Sequence, residues 1–282
     1  MNFRHVHGEN MQDIRLLVLD IDGTISGHSN QVRPAVLEAI RGVQARGIRV
    51  AIATGRMFCS AKRFHEIIAS DLPIIAYNGA WIQDPVDQKL HRQLSVAPDI
   101  CVDILDYLAA EPWRSQLHIH IYRDDELYVS ESNDKIDAYQ LRTGCKANFL
   151  KDLREIVDHS PTKLLAVCHH EGVSEKLVPE VQKRYSPELI YCTQSTEFYV
   201  EFTSPTATKG QAVKFLAEEI MGLKSDNVMA IGDNFNDKEM LKYANIGIAM
   251  GNAPNDLKKV ADYVTSSVDE DGVAQAITHF NL

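Results

Sequence analysis

Two aspartates stand two residues apart at the end of an apolar run, Leu16-Leu17-Val18-Leu19-Asp20-Ile21-Asp22-Gly23-Thr24. An apolar run this short suits a strand buried on both faces. In an extended strand, residues i and i+2 share a face, so Asp20 and Asp22 should project together from the C-terminal end, where open α/β sheets hold their ligands. Gly23 allows a sharp exit, and Thr24 can hydrogen-bond the backbone of the turn. Two carboxylates about 4 Å apart repel by roughly 4 kcal/mol at an effective dielectric of 20, so a cation or a shared proton is expected there.

Three more clusters carry usable chemistry. Thr54-Gly55-Arg56 offers a hydroxyl and backbone N–H groups of the kind that hold phosphoryl oxygens. Lys209-Gly210 sets a cation at the start of a helix, where the dipole also favours an anion. Gly232-Asp233-Asn234-Phe235-Asn236-Asp237 places carboxylates at i and i+4 across a strand-to-helix turn. Hard oxygen ligands of this kind suit Mg²⁺, which takes one or two carboxylates plus water and substrate phosphate.

Taken singly, each cluster has a plainer explanation. Asp-Gly and Asn-Asp are common turn residues, Thr54-Gly55 could begin any loop, and a lone lysine is usually solvated. Both acidic sites fail as EF-hand loops: Gly23 comes too early in the first, and Phe235 fills a ligand position in the second. Lys209 precedes its glycine and lacks the upstream glycine of a P-loop, and no G-x-G-x-x-G follows a strand. What the plainer explanations leave over is the conjunction of four clusters at the ends of successive elements.

Those elements alternate. Val36, Ile40 and Val43 mark one face of a helix with Pro34 in its first turn and Gly47 near its C-cap. A strand over 48–53 ends at Thr54, a helix covers about 58–69, and a strand over 73–77 ends at Asn78-Gly79. This is the rhythm of a doubly wound, mostly parallel sheet. From about 84 to 197 strands come in near-neighbour pairs, such as 118–122 and 127–129 around Arg123-Asp124-Asp125, with further strands at 163–168 and 189–192 and helices at 100–108 and 174–184. That predicts an inserted α+β domain over 85–197. The first rhythm resumes with helices at 209–221, 237–243, 256–261 and 273–280 and strands at 228–231 and 246–250, so 1–84 and 198–282 form one interrupted α/β core.

At 282 residues, two cores are affordable. With 45% hydrophobic and 24% charged residues, the chain has the balance of an ordinary globular protein. A formal charge of −10 argues against a nucleic-acid partner or an anionic membrane surface, both of which call for basic patches. Cys59, Cys101, Cys145, Cys168 and Cys192 are odd in number and form no C-x-x-C pair, so reduced thiols in a cytoplasmic protein are expected. Met1 to Asp13 lacks the apolar segment of a secretion signal and is expected to be a frayed extension. A monomer or small homo-oligomer is expected.

The four clusters in this order resemble the haloacid-dehalogenase superfamily of phosphohydrolases. Asp20-Ile21-Asp22-Gly23-Thr24 matches its first motif, Thr54 its second, Lys209 its third, and Gly232-Asp233-x-x-Asn236-Asp237 its fourth. The resemblance spans nearly the whole chain, and the large insert after the second motif looks like the cap of the Cof-type sugar-phosphate phosphatases. It implies Asp20 as nucleophile, forming an aspartyl-phosphate, and Asp22 as the acid and base, its pKa pushed upward by Asp20. It further implies Thr54 and Gly55 holding the phosphoryl group, Lys209 neutralising it and restraining Asp20, and Asn236 lying near the phosphate. Mg²⁺ would sit on Asp20, the Asp22 carbonyl and Asp233, with Asp237 supporting the metal site. The substrate would be a small phosphorylated metabolite. An aspartate two residues after the nucleophile favours phosphate hydrolysis over dehalogenation, since a halide needs no proton. One departure is mild: Ala207-Thr208 precedes Lys209 where Cof-type chains often have Val-Ser.

Arg56 and Asn78 lie beside the expected mouth and could reach the leaving group or fix the hinge. His118 with His120, and His169-His170, are expected at the surface or the cap interface, no spacing requiring a transition metal there. Trp81 and Trp113 suit core or hinge packing. The near alternative is a phosphomutase or a specialised sugar-phosphate phosphatase. From another class, a receiver-type phospho-acceptor uses similar groups, but the length, the insert and the acidic cluster after the lysine count against it.

Overall fold

The chain begins with β1 (Leu16–Leu19), α1 (Pro34–Ala45), β2 (Arg49–Ile52), α2 (Phe58–Ile67), β3 (Ile74–Ala76), β4 (Trp81–Gln83) and β5 (Leu90–Gln93). This is a computed structural model that describes residues 13–282; the expected N-terminal extension falls almost wholly outside them. A middle stretch follows: α3 (Pro98–Leu108), β6 (Leu117–Arg123), β7 (Glu126–Val129), α4 (Asp134–Thr143), β8 (Ala147–Phe149), β9 (Lys163–Cys168), α5 (Val173–Arg184), β10 (Tyr191–Thr196) and β11 (Tyr199–Thr203). The chain closes with α6 (Lys209–Phe215), β12 (Val228–Gly232), α7 (Lys238–Tyr243), β13 (Ile246–Ala249), α8 (Asn255–Lys258), β14 (Tyr263–Val264) and α9 (Gly272–His279).

The core sheet has the order β14-β13-β12-β1-β2, and every pairing in it is parallel. β1 is buried on both faces, as its unbroken apolar run demands. Leu17 and Leu19 pack with Val36, Ile40 and Val43 of α1, while Leu16 and Val18 pack with Val213 and Leu216 and with Leu241 of α7. The chain leaves β1 toward β2 on one side and later returns at β12 on the other. The strand order therefore reverses between β1 and β12, which opens a crevice at their C-terminal ends. β3 touches β2 through one parallel bridge, Ala53 to Ile75, and otherwise forms an antiparallel ribbon with β4 and β5.

The second sheet, in the order β10-β11-β9-β6-β7-β8, is mixed. One face buries Ile121, Leu164, Ala166 and Phe202 against α3 and α5. The other carries Tyr122, Leu165 and Val167 together with Ile136 of α4 and looks toward the core sheet. The chain crosses between the two units at 94–97 and 204–208.

Two boundaries depart from the sequence reading. The expected insert start at 85 falls in the turn joining β4 to β5. β11, read as the start of the returning core, is hydrogen-bonded between β10 and β9 of the inserted sheet. Its buried run Val200-Glu201-Phe202-Thr203 reads as a strand whichever sheet it joins. Trp81 and Trp113 are buried, as expected. Among the described residues, no helix is long and apolar enough to cross a membrane.

Candidate active site

Asp20 emerges from β1 at the crevice, and its amide donates to the Ile231 carbonyl of β12 at 3.1 Å. Its carboxylate accepts from Lys209 Nζ at 2.6 Å, and the same ammonium donates to Asp237 Oδ1 at 2.5 Å. All three side chains are nearly free of solvent. Lys209 opens α6, whose N-cap Thr208 accepts from the Gln211 amide. Burial alone lowers an ammonium's pKa, but Asp20 and Asp237 outweigh it, so Lys209 stays charged.

Both oxygens of Asp237 accept hydrogen bonds. Its Oδ2 takes the amides of Asp233 at 2.8 Å and Asn234 at 3.0 Å, which fixes the turn after β12. Asp20, Asp233 and Asp237 still offer oxygens within 4.8 Å of one another, the one such group of metal-capable side chains found among the described residues. Asp237, counted from sequence among the metal residues, also binds Lys209 and fixes the turn, whereas Asp20 and Asp233 each keep one carboxylate oxygen with no hydrogen bond among the described residues. Burial raises the Asp233 carboxyl to about 9, helped by Asp20 and Asp237. Asp20 rises to about 7, again through burial, which Lys209 only partly offsets. Carboxylates that hold protons this far above their ordinary range make a donor set suited to a hard divalent ion.

Gly23 is required here. Its φ is +80°, and a Cβ would stand 2.1 Å from Asp233 Oδ2. Beside it lies a residue the sequence reading missed. Asn252, in the loop after β13, donates to the Gly23 carbonyl at 2.9 Å and to Asp233 Oδ2 at 3.2 Å. The available signal was its position at the end of another parallel strand, on the same sheet edge.

Asp22 has a different environment from Asp20. Arg56 grips both its oxygens, at 2.7 and 2.6 Å, and Arg142 of α4 adds a third bond at 2.9 Å. Burial raises this carboxyl, but the bonds and charge of Arg56, then Arg142, outweigh it and hold the pKa below its ordinary value. The expectation that Asp20 would push it upward is therefore corrected: two guanidiniums in contact prevail over one buried, ion-paired carboxylate. Arg56 itself stacks over Phe64 and donates to Asn30.

Thr54 is buried at the end of β2, its hydroxyl accepting from the Arg56 amide at 3.1 Å. The Gly55 carbonyl accepts from Lys163 of β9 at 2.9 Å. Lys163 also pairs with Glu201 of β11, which accepts from Asn78 at 2.5 Å; Asn78 in turn accepts from Asn236 at 3.0 Å. A continuous polar chain thus joins the inserted sheet to the second and fourth clusters. The sequence places Asn78 at the mouth, but nothing local in it marks Lys163, Glu201 or Arg142. Asp20, Asp22, Thr54, Gly55, Arg56, Asp233 and Asn236 all line one cavity of about 120 Å³, whereas Asn78 lies behind it.

None of His118, His120, His169 and His170 lines that cavity. His118 rests 4.4 Å from the His169 ring, and His120 is buried edge-on against Tyr139, its pKa pushed down to about 3 by burial. The cysteine expectation also changes. Cys59 and Cys145 form a disulfide, while Cys101, Cys168 and Cys192 are free and buried. The partners are 86 residues apart in sequence, a pairing that no spacing rule announces.

A parallel α/β core with an acidic cluster and a buried lysine at its switch point, under an inserted mixed sheet, defines a capped enzyme working at the sheet edge. Residues 17–277 match the model of the haloacid dehalogenase-like hydrolases. Phosphatase YwpJ of Bacillus subtilis is 27% identical, the match covering 94% of this chain and 99% of that protein. The 5-amino-6-(5-phospho-D-ribitylamino)uracil phosphatase YcsE of Bacillus subtilis is 28% identical over 96% of this chain and 97% of its own. The solved HAD subclass IIB sugar phosphatase BT4131 shares the fold, with a TM-score of 0.82 at 22% identity, covering 95% of this chain and 99% of that one. The chain belongs to the haloacid dehalogenase-like hydrolases, and its inserted cap makes it similar to their Cof-type phosphatases.

Proposed function

We propose that the chain is a Mg²⁺-dependent phosphatase of small phosphorylated metabolites, sugar phosphates above all, working through an aspartyl-phosphate on Asp20. The observation that carries this is Lys209, buried between Asp20 and Asp237, with Asp233 completing the cluster across the switch point. Lys209 holds Asp20 in one rotamer and offsets charge on the incoming phosphoryl group. Asp20 and Asp233, with the Asp22 carbonyl, would hold Mg²⁺, which cancels repulsion between carboxylate and phosphate. Thr54, the Gly55 amide and Asn236 line the place for the phosphoryl oxygens.

Asp22 is the proton carrier in this reading. It protonates the leaving alkoxide and then takes a proton from the attacking water. Because Arg56 and Arg142 depress its pKa, the substrate must draw at least one guanidinium away. Arg142, half exposed and borne by the cap, is the one free to turn to the leaving group.

The pocket itself favours a neutral, hydroxylated leaving group. Lys163 and Glu201 neutralise each other, while Tyr139, Thr143, Ser195, Thr196 and Tyr199 are uncharged residues of the lining. The YcsE relative is named for a phosphorylated ribityl compound, in line with this. A cytoplasmic location goes with the reading, since phosphate esters carry charges that do not cross a bilayer unaided.

Asp20→Asn tests the core of it. The variant keeps the fold by circular dichroism and loses hydrolysis of an aryl phosphate, while wild type with Mg²⁺ turns over a panel of sugar phosphates. Full activity in the variant would overturn the reading.

A further inference from the structure

Cys59 and Cys145 belong to different units. Cys59 lies in the first turn of α2, in the core, three residues after Arg56. Cys145 follows Gly144, the left-handed residue that ends α4 in the cap, three residues after Arg142. Their Cα atoms are 6.6 Å apart, within the usual disulfide span of about 4.4–6.8 Å. The bond therefore ties together the two segments whose arginines meet on Asp22. The other ties there are reversible. The Arg142–Asp22 pair is half exposed and weak in water, and Asp125 of the cap turn accepts from the Cys59 amide and the Tyr77 hydroxyl, each at 2.8 Å. The cavity beneath, about 120 Å³, is below the roughly 300–1,000 Å³ of ordinary ligand pockets, so a metabolite needs the cap to swing on its two linkers.

We propose that Cys59 and Cys145 are a redox modification site: as thiols they leave the cap free to open, and as the disulfide they lock it over the active site. The modifying agent is a small-molecule disulfide. One protein thiolate attacks it, forming a mixed disulfide and releasing one thiol; the second protein thiolate then displaces the other. Two electrons pass from the protein to the reagent, and the two cysteine protons end on the two released thiols. A dithiol reverses the reaction. In a reducing compartment such a bond forms only under oxidation, which is how a sensing disulfide behaves. The effect on turnover rests on the phosphatase reading; the bond and the lock do not.

The test uses the full chain, treated with oxidised glutathione or with dithiothreitol. Thiol titration of the denatured protein is expected to give three thiols after oxidation and five after reduction, with peptide mapping placing the link at 59–145. Amide exchange over 134–143 should slow at least tenfold in the oxidised form, a readout independent of catalysis. Turnover of an aryl phosphate should fall at least tenfold on oxidation and return on reduction. Cys59→Ser and Cys145→Ser should each keep the reduced-form rate in both conditions; the wild-type comparison needs neither variant. Five thiols after oxidation, a link elsewhere, or unchanged exchange and turnover in the bridged protein would overturn the proposal. A reduced protein that never hydrolyses phosphate, yet shows the thiol and exchange changes, would instead sink the phosphatase reading alone.

Discussion

The acidic cluster should make the metal-free protein lose stability as pH rises. Asp20 and Asp233 keep their protons to about 7 and about 9 in the fold, against 3.8 for a free aspartate. A group with a raised folded pKa lets the native state bind more protons than the unfolded one, so stability falls as pH climbs from the unfolded value toward the folded one. Between pH 6 and 8 the unfolded carboxyls are ionised throughout. Asp233 stays protonated across both pH units and contributes a loss of about 3 kcal/mol; Asp20, passing through its midpoint, adds about 1. The two titrate as a coupled pair, so the observable is their sum, about 4 kcal/mol, or roughly 10 °C in Tm. Thermal melts in EDTA at pH 6 and pH 8, repeated with millimolar Mg²⁺, read it directly. The slope should vanish with Mg²⁺ and shrink by more than half in Asp233→Asn. Equal Tm values at both pH values in EDTA would mean that the two carboxyls do not hold their protons in the fold.

Two further perturbations probe the supports of the site. Gly23→Ala forces a left-handed alanine and drives a methyl into Asp233, so denaturant melts should show a loss of about 1–3 kcal/mol and titrations should require more Mg²⁺ for half-maximal rate. Arg142→Ala removes a charge-assisted hydrogen bond at the leaving-group side and should cut kcat/KM on sugar phosphates roughly tenfold or more, with aryl phosphate less affected and Tm nearly unchanged; equal losses on both substrates would count against its proposed contact.

The parts legible in the sequence share one property: each is local. Leu16–Leu19 announces a strand buried on both faces and delivers Asp20 to its end, and the same holds for Val228–Gly232 and Asp233. What escaped depends on partners far away. α4 buries only Ile136, so it shows no apolar stripe, and Arg142 at its end went unnoticed. Asp22 owes its low pKa to arginines 34 and 120 residues distant, and no neighbour in sequence hints at them. Cys59 finds Cys145 only because the cap folds back over α2. β11 could be recognised as a strand, but pairing partners are not written into a short apolar run.

Covalent chemistry at one carboxylate, Asp20, distinguishes the proposed mechanism. Rapid acid quench during turnover, borohydride reduction and peptide mass spectrometry would detect an aspartyl-phosphate as homoserine at its position. Homoserine is expected at position 20, dependent on Mg²⁺ and substrate and absent from every other aspartate. Hydrolysis at full rate with no residue modified, or with the mark on Asp22 or Asp233, would contradict it.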